Sequence, residues 1–294
     1  MQTERECLTD EQIAAYRRDG YIVIENRVPD AVLDQCHKEI ARLRAEAATL
    51  TAHTDQIDLE ESHTPDNPRI RRIKLPHTLS PVFAELMKSD AILAPVRDLI
   101  GPDLRLHTSK LNMKSAGFGA PVDWHQDWAF YPHTNDDVLA VGVFLDDVGP
   151  ENGPLLVFPG THRRDAFDHH VDGVFAGTMS LPKAGLDPKD AAAAMAPAGS
   201  ISIHHARIVH GSDFNRSDRD RAVLFYEITA ADAFPIFGAM SPPRTLEGFD
   251  ALMLCGEPTI EPRVTPVPVR IPQPQPATQG SIYEIQKQSA AKGF

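Results

Sequence analysis

Asp123-Trp124-His125-Gln126-Asp127-Trp128 is the stretch around which the rest of this sequence is best interpreted. In an extended segment successive side chains point to opposite faces, so His125 and Asp127 direct an imidazole and a carboxylate to the same side. Two such groups begin a binding site for a redox-active transition metal when a third ligand arrives from elsewhere. The spacing alone is weak, because a chance His-x-Asp is unsurprising in a chain with 13 histidines.

Composition limits the kind of protein that this can be. The 294 residues include 29 basic and 41 acidic ones, giving a net charge of −12 and arguing against nucleic acid or an anionic membrane as partner. We therefore expect a small-molecule substrate. Cys7, Cys36 and Cys255 show no paired spacing, and no apolar run approaches the length of a membrane span. These features predict a cytoplasmic protein and leave its oligomeric state open.

The first hundred residues carry helix signals. Thr9 followed by Gln12 is typical of a capping box, and Gly20 of a helix end, after which residues 21–24 read as a strand. A second amphipathic helix begins at Asp30. This part of the chain is therefore predicted to be a helical layer.

Two further helix starts, at Ser80 and Ser89, precede a stop at Gly101. Between the two pairs of helices, residues 51–76 lack a periodic pattern and are predicted to form a loop near a site. That loop contains a basic run made up of Arg69, Arg71, Arg72 and Lys74.

Short strands dominate after residue 102. Residues 104–114 alternate, and the face shared by Leu104, Leu106, Thr108, Lys110 and Asn112 turns polar at its far end, as at a ligand-holding barrel mouth. The other predicted strands are 138–145, 155–158, 201–205 and 221–228. The pattern favours an α+β protein with a mainly β core, a sandwich or barrel, behind the N-terminal helical layer.

We expect one domain over residues 1–294. Residues 1–102 would be helical scaffold and loop, and 103–230 the β core with a lid insertion at about 161–197. Such a long loop in a compact domain is usually functional or carries small elements of its own. Residues 256–294 would form an extended, proline-rich tail over the surface.

His210 is the strongest candidate for the third metal ligand, since it follows an apolar pair and precedes Gly211. Two histidines and one carboxylate leave coordination positions open, which suits Fe(II) that must also bind a cosubstrate and O₂. Arg221 opens an apolar strand, where an inward guanidinium needs an anionic partner such as a dicarboxylate. Arg219 competes for this role, but its charged surroundings indicate solvent exposure.

Three segments together resemble the phytanoyl-CoA dioxygenase family of Fe(II)/2-oxoglutarate oxygenases: HQD (125–127), ENGPLLVFPGTH (151–162) and HGSDFNRSDRDR (210–221). The similarity runs from about residue 9 to residue 228. It implies a double-stranded β-helix, the cupin-like jelly roll, with iron held by His125, Asp127 and His210.

The same resemblance suggests further roles by position. Arg221 would bind the distal carboxylate of 2-oxoglutarate with Ser212 beside it. Asn112 and Lys110 match positions that bind 2-oxoglutarate or substrate, although some relatives carry arginine in place of Lys110. The presence of Asp127 favours hydroxylation, because halogenating relatives replace this carboxylate with a small residue.

The remaining aromatic and basic residues each have two interpretations. Trp124 and Trp128 could stack on substrate but are predicted to pack in the core, whereas Phe130 and Tyr131 could line the pocket or lie on the surface. Arg72 and Lys74 could bind an anionic substrate group, or simply form a solvated charged face. Among the other histidines, His204 or His205 could support a metal ligand, His162 is predicted to be structural, and His169 and His170 to be exposed.

The sequence therefore predicts an oxidoreductase, a non-haem Fe(II)- and 2-oxoglutarate-dependent dioxygenase. It would hydroxylate an unactivated C–H bond of a small polar or natural-product substrate and release succinate and CO₂. Two alternatives stay open at this point. One is a non-oxidative metal-dependent hydrolase or isomerase on the same barrel, and the other is a binding module without turnover.

Overall fold

The computed structural model describes residues 6–237, 243, 245–276 and 286. Its N-terminal part, up to about residue 100, is largely helical. Its elements are α1 (Asp10–Asp19), β1 (Tyr21–Ile24), α2 (Asp30–Ala47), β2 (Ile57–Leu59), β3 (Ile70–Lys74), α3 (Pro81–Met87) and α4 (Asp90–Ile100). The predicted signals at α1 are confirmed: Thr9 and Gln12 form a reciprocal capping box, and Gly20 ends the helix at a φ of 83°.

The rest of the chain is mainly β. Its strands are β4 (Leu104–Lys114), β5 (Val122–His125), β6 (Val138–Phe144), β7 (Leu155–Val157), β8 (His170–Val171), β9 (Val174–Phe175), β10 (Ala192–Ala194), β11 (Ile201–His205), β12 (His210–Ser212), β13 (Arg221–Ala230) and β14 (Met253–Cys255). Two short helices are α5 (Leu181–Ala184) and α6 (Leu246–Asp250). No helix among the described residues has both the length and the apolar character needed to cross a bilayer.

Two antiparallel sheets carry the architecture. The larger has the order β1-β11-β6-β13-β4-β3-β2, with β14 also pairing with β4, and the smaller has the order β10-β7-β12-β5. Helices α1 to α4 pack against the larger sheet, where Phe83, Ile92, Leu111 and Leu224 are fully buried in one apolar cluster. Residues of both sheets line one pocket, so it lies between them. This arrangement is the predicted jelly roll behind a helical layer.

The prediction of a loop over residues 51–76 is wrong at two places, where β2 and β3 form. These strands have three and five residues, too short to show a clear periodic pattern. Pairing with β4 stabilises β3, with Arg72 opposite Asn112 and Ile73 opposite Leu111. The basic run therefore lies largely on a strand of the larger sheet instead of in a flexible loop.

The prediction that Leu104, Leu106, Thr108, Lys110 and Asn112 share one face of β4 is wrong, because a β-bulge interrupts the strand. Glu227 pairs with Thr108 but the next residue, Ile228, pairs with Leu106, so His107 is an extra residue on β4. The extra residue reverses the alternation, and Leu104 and Leu106 pack in the apolar cluster that contains Leu111 and Met113. The face toward the pocket includes Lys110, Asn112 and Lys114.

Residues 161–197 carry small elements of their own, namely β8, β9, α5, β10 and two 3₁₀ turns at Thr161–Arg163 and Pro188–Asp190. Strand β10 pairs with β7, so part of this segment belongs to the smaller sheet. Residues 256–276 contain no helix or strand. The expectation for the tail beyond residue 276 lies outside the described residues, except at Gln286.

Candidate metal and cosubstrate site

The two candidate histidines face each other across one ladder of the smaller sheet. His125 ends β5 and pairs with His210, the first residue of β12, and the centroids of their rings are 4.1 Å apart. Gln126 keeps an extended conformation, with φ −115° and ψ 131°, before a 3₁₀ turn begins at Asp127. The alternation predicted for the HxD segment therefore continues past the end of the strand.

The Asp127 carboxylate completes the cluster. Its Oδ1 lies 3.6 Å from His125 Nε2, and its Oδ2 lies 3.9 Å from His210 Nε2. One candidate ligand atom from each of the three residues lies within 4.8 Å of the others, and all three side chains are buried. The structure thus brings together the set named from the sequence.

Backbone contacts fix both imidazoles in the orientation that metal binding requires. His125 Nδ1 donates to Asp123 O at 2.7 Å, and His210 Nδ1 donates to Ile208 O at 3.1 Å. Since a carbonyl can only accept, each ring carries a proton on Nδ1 and directs Nε2, the atom left to bind a metal, toward Asp127. Burial, with His125 nearby, lowers the pKa of His210 well below its usual value. Its neutral form is the one that binds metals.

This donor set fits a divalent transition metal. Asp127 Oδ2 is buried and has no hydrogen-bond donor among the described residues, an arrangement that costs free energy unless a cation is bound. His204 Nε2 lies 3.6 Å from the same oxygen, which places this histidine beside the carboxylate, as one of the sequence interpretations proposed. Two imidazoles and one carboxylate form the facial set typical of non-haem Fe(II).

The central residue of the HxD segment is held by contacts that sequence reasoning missed. The side-chain amide of Gln126 donates to Arg207 O and accepts from Phe167 N. The backbone N–H of Gln126 donates to His169 Nε2 at 3.0 Å. The expectation that His169 is exposed is wrong, because it is 2% exposed. Burial lowers its pKa to about 3, so it accepts in the neutral form. His170 is partly exposed.

One end of the pocket is cationic. Arg221 donates to the carbonyls of Asn152 and Gly153, and it pairs in the ladder with Lys114, which is 4% exposed. Lys114 Nζ donates to Ala120 O at 2.8 Å and Asp213 O at 2.6 Å. Burial and the neighbouring Arg221 lower the pKa of Lys114 well below its usual value. An anionic ligand is therefore favoured at this end, since its charge would balance that of Arg221 and of protonated Lys114.

Lys114 was not predicted as a site residue, although its position two residues after Asn112 on the same alternating face is the signal that would have identified it. Ser212 and Asn112 both line the pocket, as the resemblance implied. Asn112 Oδ1 is buried without a hydrogen-bond partner among the described residues.

A second charged group lies beside the triad. Lys110 Nζ is 2.6 Å from Glu227 Oε1 and 3.9 Å from Asp127 Oδ1. Burial alone would lower the pKa of Lys110, but the two carboxylates raise it to about 12. Burial, with the charges of Asp127 and Glu227, raises the pKa of the Tyr131 hydroxyl well above its usual value. Glu227 was missed, and the signal was an acid inside an otherwise apolar strand, on the same alternating face as Arg221.

The remaining candidate residues lie at different distances from the pocket and the triad. Arg72 lines the pocket and pairs with Asp58 at 2.9 Å, whereas Lys74 pairs with the same carboxylate at 3.2 Å and is not among the described lining residues. Phe130 stacks edge-on against His125, at 6.0 Å between ring centroids. Three further residues behave as predicted: Trp124 and Trp128 are buried in apolar clusters, and Arg219 is 72% exposed.

Comparison with known proteins gives a family match. Residues 16–223 match the phytanoyl-CoA dioxygenase family (PhyH), a range that contains the triad, Lys110, Lys114 and Arg221. Glu227 lies just beyond it.

Individual relatives agree with this match. A probable alpha-ketoglutarate-dependent hypophosphite dioxygenase of Stutzerimonas stutzeri is 32% identical over 288 residues, covering 97% of this chain and 99% of that protein. Ectoine dioxygenase of Sphingopyxis alaskensis is 30% identical over 251 residues, covering 79% of each chain. The crystal structure of EctD from S. alaskensis with 2-oxoglutarate and 5-hydroxyectoine has a TM-score of 0.66 at 28% identity, covering 88% of this chain and 87% of that one.

Proposed function

Because this chain belongs to the phytanoyl-CoA dioxygenase family, we propose that His125, Asp127 and His210 bind its Fe(II) and that Arg221 and Lys114 bind its 2-oxoglutarate. The predicted enzyme class, a non-haem Fe(II)- and 2-oxoglutarate-dependent dioxygenase, and its cofactors Fe(II), 2-oxoglutarate and O₂ are confirmed by the relatives. The residue roles are the proposal, and the cluster of two imidazoles with one buried carboxylate supports them most strongly.

Each residue has a task that follows from its contacts. Asp123 O and Ile208 O orient the two imidazoles so that Nε2 is the ligand atom. Arg221 and Lys114 bind the distal carboxylate of 2-oxoglutarate by charge-assisted hydrogen bonds, with Ser212 beside them. Bound iron supplies the redox chemistry that couples decarboxylation of 2-oxoglutarate to oxidation of the substrate.

The overall reaction converts an X–H bond, 2-oxoglutarate and O₂ into X–OH, succinate and CO₂. X is carbon in the prediction from sequence. A hypophosphite-like substrate, suggested by the relative that covers nearly the whole chain, would present P–H instead. The presence of Asp127 supports hydroxylation over halogenation. A small polar or natural-product substrate, a cytoplasmic location, and one domain with a lid at about residues 161–197 stay predictions from the sequence.

Anaerobic addition of Fe(II) and 2-oxoglutarate tests the metal and cosubstrate assignments directly. The wild type should develop the weak visible charge-transfer band of the chelate, and His210→Ala should lose it because one of three ligands is gone. A folded wild type that shows no band, or a His210→Ala variant with an undiminished band, would overturn the assignment.

A further inference from the structure

We propose that Lys110 binds the substrate, and that the substrate is a small monoanion whose reacting X–H bond lies on or next to its charged group. This inference rests on the proposed function, since it takes the triad as the iron site and the Arg221–Lys114 end as the 2-oxoglutarate site.

The pocket contains more basic side chains than the cosubstrate uses, two of which have acidic partners outside the lining: Arg72 pairs with Asp58, and Lys110 with Glu227. Its described lining residues include four cations and no acid, the cations being Arg72, Lys110, Lys114 and Arg221. Arg221 and Lys114 lie together at one end, where they pair across the ladder. Lys110 is four residues away from Lys114 along β4, which is about 13 Å in an extended strand. Lys110 therefore does not belong to the end of the pocket that binds the distal carboxylate.

The ammonium of Lys110 is fixed and still has hydrogen-bond capacity. Glu227, which is 2% exposed, holds it from behind at 2.6 Å, and Asp127 Oδ1 at 3.9 Å is too far for a hydrogen bond. An ammonium has three donors, so donors are left for a ligand. The Lys110 side chain is 26% exposed and lines the pocket, which gives a ligand access to them.

The charges favour a monoanion over a zwitterion or a dianion. Glu227 is covered by protein and is not among the lining residues, so it is not available to a substrate ammonium group. When Fe(II) and 2-oxoglutarate are bound, the metal, the cosubstrate, Asp127, Arg221 and charged Lys114 together leave one net positive charge. Glu227 offsets the charge of Lys110, and Asp58 offsets that of Arg72. A single negative charge at Lys110 is then matched, whereas two are not.

Position restricts the substrate further. Since Lys110 Nζ is 3.9 Å from Asp127 Oδ1, an anion bound to it lies beside the triad. The bond that such an anion presents must therefore be close to its charged group, as in a phosphorus oxyanion or a short carboxylate.

Binding to the anaerobic Fe(II)·2-oxoglutarate enzyme tests this inference without turnover. Hypophosphite and acetate would be titrated by calorimetry, with the charge-transfer band monitored, against neutral acetamide and zwitterionic glycine and ectoine. At least one monoanion should bind about tenfold or more tightly than the neutral and zwitterionic compounds, since a hydrogen bond to a charged group has that magnitude. Equal or tighter binding of acetamide, glycine or ectoine, or no binding of either anion, would overturn it.

Substitution then tests Lys110 itself. Lys110→Met should weaken the anion about tenfold or more with the dissociation constant of 2-oxoglutarate unchanged, and Lys110→Arg should keep most of the affinity. Lys38→Met, on the exposed face of α2, is the matched control. Anion affinity within twofold of wild type in Lys110→Met would refute the proposal. If Lys110→Met does not bind iron, the comparison of anions with neutral and zwitterionic compounds in the wild type, together with the anion affinity of Lys110→Arg, still decides the proposal. Absence of the band in the wild type would instead count against the proposed function.

Discussion

Replacing Lys114 by Met should weaken 2-oxoglutarate binding about tenfold while leaving the fold intact. The ammonium is buried beside Arg221 and is proposed to bind the distal carboxylate. A hydrogen bond between charged groups contributes roughly 1.5–3 kcal/mol, or about 10- to 100-fold in affinity. The lower end applies here, because removing Lys114 also removes its repulsion of Arg221. Two carbonyls lose a donor, but desolvation of a cation is no longer required, so the net change in stability should be small.

The same residue makes 2-oxoglutarate affinity depend on pH. Burial and Arg221 hold the pKa of Lys114 well below its usual 10.5 in the free enzyme, so its charge is lost as pH rises through that lowered value. A dicarboxylate binds the charged form, and above the lowered pKa its binding must bring a proton with it. Affinity in the wild type should therefore fall as pH rises from the lowered pKa of the free enzyme toward the higher pKa that Lys114 has beside the bound dicarboxylate, and Lys114→Met should lack this component of the dependence.

Anaerobic titration of the Fe(II) enzyme with 2-oxoglutarate, followed by the charge-transfer band over a pH series, measures both effects. Calorimetry in two buffers with different ionisation enthalpies counts the protons taken up. Lys38→Met serves again as control, and thermal unfolding confirms that each variant is folded. The reasoning is refuted if Lys114→Met binds 2-oxoglutarate within twofold of wild type, or if its pH profile and proton uptake match those of the wild type.

Two other substitutions test the scaffold. Gly142→Ala should destabilise the fold by about 1–3 kcal/mol, since the added Cβ would lie 2.7 Å from Phe225 Cε1 and 2.8 Å from Ser202 Oγ. Denaturant unfolding would measure this loss of stability. An unchanged unfolding midpoint would contradict the packing argument. Gln126→Leu should lower Fe(II) affinity by about tenfold or more, because the Gln126 side chain holds the metal-binding segment against Arg207 O. Metal titration of the folded variant measures this affinity. Wild-type affinity in the variant would show that the contact does not position the ligands.

The sequence predicted what depends on local spacing. The HxD alternation holds because the backbone stays extended through Gln126, and the apolar strand context was enough to select His210 and to place Arg221 in the pocket. The helix ends at Thr9 and Gly20 follow from side-chain capping and a left-handed residue, which are also local.

What the sequence did not predict depends on pairing between distant segments. The bulge at His107 appears only when β4 is aligned with β13, and it decides which side chains of β4 face the pocket. Strand β3 exists because it pairs with β4. His169 is buried at a place where it accepts a hydrogen bond from the backbone of Gln126, 43 residues away in the chain. None of these contacts leaves a periodic pattern in its own segment.

The two sheets divide the proposed work between them. The histidine ligands come from β5 and β12 of the smaller sheet, whereas all four pocket cations come from β3, β4 and β13 of the larger one. Asp127, at 3.9 Å from Lys110, is the point where the two sets meet. Substitutions on the larger sheet should therefore change which anions bind with little effect on iron, and the opposite should hold for β5 and β12. Substitution of Lys110 tests this separation most severely, because the ammonium of this larger-sheet residue lies 3.9 Å from the carboxylate of Asp127, a proposed metal ligand.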